Sequence, residues 1–166
     1  LHLAWNFIPC TVLREGPYGV GSLQQFIEVD PRSSYFTLRE ECPEELERIA
    51  LFDCLSNNAD RKASHCFKDM SGGVWSIDHG LTFHQDPKLR TVIWDFAQES
   101  ISGHLMEQIA GLLEGLGSSL GLAEELAPLL APEELTALRR RLGRLIESGR
   151  FPSQDPNRRN VPWPWF

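Results

Sequence analysis

Reactive side chains concentrate between Asn57 and His84, where Asp60, Arg61, Lys62, His65, Asp78, His79 and His84 fall within a short span. Two of them, Asp60 and Asp78, are carboxylates on irregular stretches next to regular elements, where functional side chains are commonly held. An Asp just past a helix can face a cleft and take up a proton from a substrate hydroxyl. An Asp at the end of a short strand, followed by a Gly turn as in Asp78-His79-Gly80, can offer oxygen to a divalent cation. One carboxylate to orient a hydroxyl and one to carry a cation is a minimal set for phosphoryl transfer, which is mostly positioning and electrostatics.

The elements that must position these groups are legible in outline. Thr11–Arg14 and Leu23–Val29 are strand-like runs joined across the Gly/Pro-rich stretch Gly16–Gly21, as in a hairpin. Pro31–Ser34 breaks the pattern. A helix is predicted from Pro43, with Glu44 and Glu45 in its first turn and Leu46, Ile49 and Ala50 on its apolar face, ending near Ser56-Asn57-Asn58. Two short strands follow, Ser64–Phe67 and Val74–Ile77, joined across Ser71-Gly72-Gly73. Ile101, Leu105, Ile109, Leu113, Leu116 and Leu120 predict one face of a long amphipathic helix. A last helix opens at Pro132 and closes at Gly149. The fold class is α+β: strands, a helix, a loop bearing chemistry, a strand pair and a helical end.

Within this frame, Asp60-Arg61-Lys62-Ala63-Ser64-His65 followed by Ile77-Asp78-His79-Gly80 resembles the paired loops of the phosphatidylinositol 3-/4-kinase superfamily, which read D-R-H-x-x-N and I-D-F-G. The secretory-pathway kinases carry a similar pair, and the wider stretch through His84 looks like an actinobacterial branch of the superfamily. The resemblance implies a kinase-like C-lobe using ATP with Mg2+ or Mn2+. It makes Asp60, Arg61 and Lys62 the catalytic loop, with Asp60 facing the acceptor hydroxyl, and it makes His65 and Asp78 the metal ligands. It implies that Phe26, Ile27 and Glu28 form the hinge that meets adenine, and that Leu81 to Trp94 is the activation-segment equivalent. Residues 1–30 are then the end of an N-lobe and the hinge, residues 31–150 the C-lobe, and residues 151–166 an extended Pro/Trp-rich tail.

Lys62 stands where the superfamily has His, and His65 where it has Asn. The first Lys in the chain is Lys62, so the nucleotide lysine and phosphate-clasping loop are expected from an upstream segment or a second chain. The phosphate acceptor, whether protein, lipid or small molecule, is not encoded in any local pattern.

Other readings stay open on the same residues. Asp60 could cap a loop, Arg61 reads first as a structural ion-pair partner, and His65 reads equally as a core histidine bonded to backbone. A pseudokinase or interaction module without turnover is the alternative. A metal-dependent hydrolase using His65, Asp78, His79 and His84 is a more distant one. The run Arg139-Arg140-Arg141 with Arg144 looks like an anion patch, although a solvated helix face explains it as well.

Composition bounds the function classes. With 166 residues, the chain is about one domain long. Sixteen Lys+Arg against 23 Asp+Glu give a net charge of −7, the wrong sign for non-specific nucleic-acid binding. No apolar run approaches the roughly 18 residues of a membrane helix. The start of the chain has neither a basic stretch nor an apolar leader, so no signal peptide is expected. The cysteines Cys10, Cys42, Cys54 and Cys66 form no CxxC pair, which suits reduced thiols in the cytoplasm.

Overall fold

A computed structural model describes residues 3, 5–117 and 121–166. The chain is mixed α+β. Its elements in order are β1 (Thr11–Gly16), β2 (Gly19–Gln24), α1 (Tyr35–Glu41), α2 (Pro43–Ser56), β3 (Cys66–Lys68), β4 (Val74–Ser76), α3 (Gly103–Gly117), α4 (Leu122–Leu126) and α5 (Pro132–Ser148). A short 3-10 turn, Ala63–His65, precedes β3.

Both sheets are two-stranded and antiparallel. In the first, Thr11 pairs with Gln24 and Gly16 with Gly19, so Pro17-Tyr18 alone makes the turn. The second strand therefore begins earlier than the expected Leu23–Val29, and Gly19 and Gly21 belong to it rather than to a long connection. Gly19, the first residue after the turn, has φ 105, a left-handed conformation that glycine adopts without steric cost. Every residue of this hairpin is exposed. In the second sheet Cys66 pairs with Ser76 and Lys68 with Val74. Its loop is built by Asp69, whose carboxylate accepts from the Ser71 and Gly73 amides, the Ser71 hydroxyl and the Trp75 indole. Those bonds, from Ser71 and then Trp75 above all, hold the Asp69 pKa down to about 2.

The core is helical. Helix α2 starts with Pro43 at its first position and runs centrally, burying Leu46, Ile49, Ala50, Leu51 and Leu55. Leu105, Ile109, Leu112 and Leu116 repeat at intervals of three and four along α3, and Leu138, Leu142 and Leu145 do so along α5, so each helix presents one apolar stripe. α5 packs on both α3 and α2. It ends at Gly149 with φ 63, the left-handed cap that the sequence indicates. Helix α3 starts after Ile101, which is buried just outside it, and Leu120 lies outside the described residues.

Helix α1 was not expected. It is seven residues long, and a reciprocal capping box starts it: Thr37 N–H donates to Ser34 Oγ, and Ser34 N–H donates to Thr37 Oγ1 at 3.0 Å. Tyr35 and Leu38 are its buried residues. Residues 151–166 contain no helix or strand. Among the described residues, no helix is long and apolar enough to cross a membrane.

Leu142 is fully buried where α5 meets its two neighbours. Truncating Leu142→Ala is expected to lower the unfolding free energy by about 2–5 kcal/mol, read from a chemical denaturation midpoint at unchanged slope.

Candidate active site

The loop after α2 is anchored from inside the protein. Asp53 lies on the buried side of α2, and Arg61 reaches it from the loop with both side chains at 0% exposure. Arg61 Nε donates to both Asp53 oxygens, at 3.1 and 3.0 Å, and a terminal nitrogen donates to Oδ1 at 2.9 Å. Asn58 Nδ2 and Thr91 Oγ1 complete the carboxylate shell at 2.9 and 3.1 Å. The remaining terminal nitrogen of Arg61 donates to the carbonyl of Ile77 at 3.0 Å. One guanidinium thus fixes the loop to α2 and to the residue before Asp78. Burial alone would lower the Arg61 pKa, but the facing Asp53 raises it overall, so the guanidinium keeps its charge.

The backbone reinforces this. Asn57, with φ 57, ends α2 in the left-handed region. Its side chain donates to the carbonyls of His84 and Asp86 and accepts from the Lys88 amide at 2.8 Å. Ala59 N–H donates to Leu81 O, Arg61 N–H to Arg90 O, and Val92 N–H to Arg61 O. Residues 57–61 are therefore laced to residues 81–92 along their length.

Around this anchor the candidate residues separate by environment. Asp60 and Lys62 form an ion pair at 3.1 Å, with side chains 24% and 22% exposed. His65, on the 3-10 turn, places Nε2 at 3.4 Å from Asp78 Oδ2, while its Nδ1 is buried with no partner. Ile77 N–H donates to His65 O at 3.0 Å, which holds the two residues side by side. Asp78 has φ 57 and an exposed carboxylate, and Phe83, five residues on, has φ 64. Left-handed backbone at a bulky residue such as Phe83 is costly and clusters at functional sites. Burial lowers the pKa of His65; Asp78 opposes this, and Arg61 and Lys62 add to it.

Arg61, which the resemblance puts in the catalytic loop and which reads first as a structural ion-pair partner, is found in the buried pair with Asp53. It has no exposed surface, because its guanidinium is spent on Asp53 and Ile77, so it is a positioning residue. The histidines of the hydrolase reading are engaged elsewhere. His79 packs edge-on against Phe52 at 5.2 Å and shares a 3.1 Å hydrogen bond with Ser76, while His84 Nδ1 accepts from the Asp86 amide. Among the described residues, no three His, Cys, Asp or Glu side chains are grouped as metal ligands.

Beside His65 and Asp78 lies a largely apolar cavity of about 490 Å3 between residues 24–29 and the loop, with Phe26, Ile27, Ala63, Ser64 and Ile77 in its walls. Glu28 is exposed and lies outside those walls. The tail reaches the same place: Phe166 lines the cavity, and Ala63 N–H donates to Trp165 O. Residues 29–30, just after Glu28, are tied down by the Val29–Asp69 bridge and by Asp30 N–H donating to Lys68 O.

Protein Rv2133c of Mycobacterium tuberculosis (strain ATCC 25618 / H37Rv) is 36% identical over 199 residues, covering 99% of this chain and 70% of the relative. The chain belongs to the Rv2133c family. No family model matches it, and no solved structure does. In this Rv2133c family member, sequence reading reached Asp60, His65 and Asp78 but not the residues that hold them. Asp53, Asn58 and Thr91 carried one readable sign: Asp53 follows Ile49 and Ala50 at helical spacing, inside an apolar stripe where a charge needs a partner.

Removing one half of the buried pair leaves the other charge uncompensated. Asp53→Ala is expected to cost about 3–5 kcal/mol of stability, measured by denaturant unfolding, whereas Asp60→Ala, at a partly exposed site, should cost far less. Acid should also destabilise the fold through His79. Burial pushes its pKa down to about 3, so below its ordinary value near 6.5 the unfolded chain takes up a proton that the folded chain refuses. The unfolding free energy should therefore fall as pH drops from about 6.5, and His79→Gln should flatten that decline.

Proposed function

We propose that this chain is the C-lobe portion of an ATP-dependent phosphotransferase resembling the phosphatidylinositol 3-/4-kinases, acting in the cytoplasm with an upstream N-lobe segment or a second chain. The observation that carries the reading is the pairing of His65 with Asp78 at 3.4 Å, on two loops that Arg61 locks together, beside an apolar slot lined by Phe26, Ile27 and Ile77. The charges of Asp60, Lys62 and Asp78 all act on His65, so the residues of both loops share one neighbourhood. None of the four cysteines is disulfide-bonded, in keeping with a reducing compartment.

On this reading Asp60 orients the acceptor hydroxyl and accepts its proton, while Lys62 holds that carboxylate in place. His65 and Asp78 offer an imidazole and a carboxylate to a divalent cation. That donor pair suits Mn2+ at least as well as Mg2+, and two protein donors suffice when phosphate oxygens complete the shell. The bound ion would supply charge neutralisation on the phosphates. Phe26 and Ile27 would flank the adenine, and Arg61 keeps the two acidic loops in register.

Turnover of ATP with Mg2+ or Mn2+ should be measurable on the intact protein, with Asp78→Asn lowering it about a hundredfold or more. Asn is the informative replacement because it tolerates left-handed backbone. Equal rates for the parent and the variant would overturn the proposal.

A second reading, an interaction module without turnover, is favoured by the Lys62–Asp60 ion pair, which occupies the carboxylate that would act as base. A thermal-shift titration with ATP and Mn2+ separates the two. Ligand binding to the folded state raises the melting temperature by mass action, so a flat titration supports the module.

A further inference from the structure

On a different face, α5 and residues 85–89 enclose a smaller cavity of about 260 Å3. Arg140, Arg141 and Arg144 line it from α5, spaced so that they share one side of the helix. Opposite and between them stand Leu89, Ala137 and Leu145, an apolar floor.

Arg141 is only partly satisfied. Its Nε donates to Leu55 O at 2.8 Å and one terminal nitrogen to His84 O at 3.2 Å. Its other terminal nitrogen is buried without a partner. A buried donor left without a partner is costly, and more so when it carries charge. Burial, followed by the like charge of Arg140, brings the Arg141 pKa down to about 10, so the guanidinium stays a cation in a place that disfavours one. Glu134 is the acidic group that acts on it, and that carboxylate is already spent capping the Ala131 amide at the start of α5. Among the described residues, Arg140, Arg141 and Arg144 enter no ion pair, and no acidic side chain lines the cavity. In a chain of net charge −7, three cations lining one apolar hollow make a local excess of positive charge suited to an anion.

We propose that this cavity binds a small phosphate monoester, with the phosphate held by Arg140, Arg141 and Arg144 and the ester's apolar group resting on Leu89, Ala137 and Leu145. Phosphate fits better than carboxylate. It brings up to two negative charges and several acceptor oxygens to three forked donors. The volume sits below the range of about 300–1,000 Å3 usual for drug-sized ligands, which limits the apolar part to about one ring.

The test uses phenyl phosphate in isothermal titration, with inorganic phosphate and phenol as separate arms. Phenyl phosphate should bind the intact protein and Asp78→Asn alike, which distinguishes this cavity from the candidate active site and leaves the result independent of the kinase reading. Inorganic phosphate should bind more weakly, and phenol should not bind. In Arg140→Gln/Arg144→Gln, both changes at exposed side chains, affinity should fall about tenfold or more with the melting temperature of the free protein unchanged. The proposal is overturned if phenyl phosphate fails to bind, binds the double variant equally well, or loses binding only in Asp78→Asn. It is also overturned if inorganic phosphate or phenol matches phenyl phosphate.

Discussion

The ion pair between Asp53 and Arg61 is the constraint on which the rest of the site depends. A buried guanidinium is tolerated only when nearly every donor has an acceptor, and here the acceptors come from two directions: the Asp53 carboxylate on α2 and the Ile77 carbonyl at the end of β4. Satisfying one side chain therefore fixes the distance between a helix end and a strand end. Asp60 is the residue before Arg61, and Asp78 is the residue after Ile77. Both carboxylates, one partly buried and one exposed, inherit their placement from a contact that neither takes part in.

The same economy explains why the surrounding loops are ordered although they lack regular structure. Residues 57–61 and 81–92 exchange backbone hydrogen bonds like strands, while the Asn57 side chain gathers three backbone groups of the second segment. An amide side chain with two donors and an acceptor substitutes for a stretch of ladder. The cost is left-handed backbone at Asn57, Asp78 and Phe83, which the network on either side compels.

The legibility of the sequence divides along physical lines. Helices α2 and α5 announce themselves through Pro43 and Pro132 at their starts, Gly149 at one end and apolar residues at helical spacing, all of them local signals. The β3–β4 pair was visible through Gly72-Gly73. Helix α1 was not, because seven residues give too few turns for periodicity, and its Ser34–Thr37 cap is a weaker pattern than Ser followed by Glu. The shift of β2 toward the turn arose because Gly19 and Gly21 read as loop residues, whereas pairing with β1 absorbs them. At the site, Asp60, His65 and Asp78 were legible as residue types at a spacing. Their partners were not, since Asp53 to Arg61 and Asn58, and Thr91 to Asp53, are tertiary contacts that only folding creates. Arg61 read first as an ion-pair partner, but which carboxylate it meets is set by the same tertiary contacts.

One consequence lies in the β1–β2 hairpin. Its strands bond to each other, yet all twelve of their residues face solvent, including Val12, Leu13, Val20 and Leu23. Burial supplies most of the free energy that resists opening, so this ribbon draws almost nothing from the helical body. Its amide protons should trade with deuterium long before those of α2 or α5, and heat should melt it as a separate, earlier event. The ribbon leads directly into Phe26 and Ile27, so one wall of the apolar slot hangs from a strand open to solvent along its whole length, while the opposite wall is clamped by a fully buried charge pair.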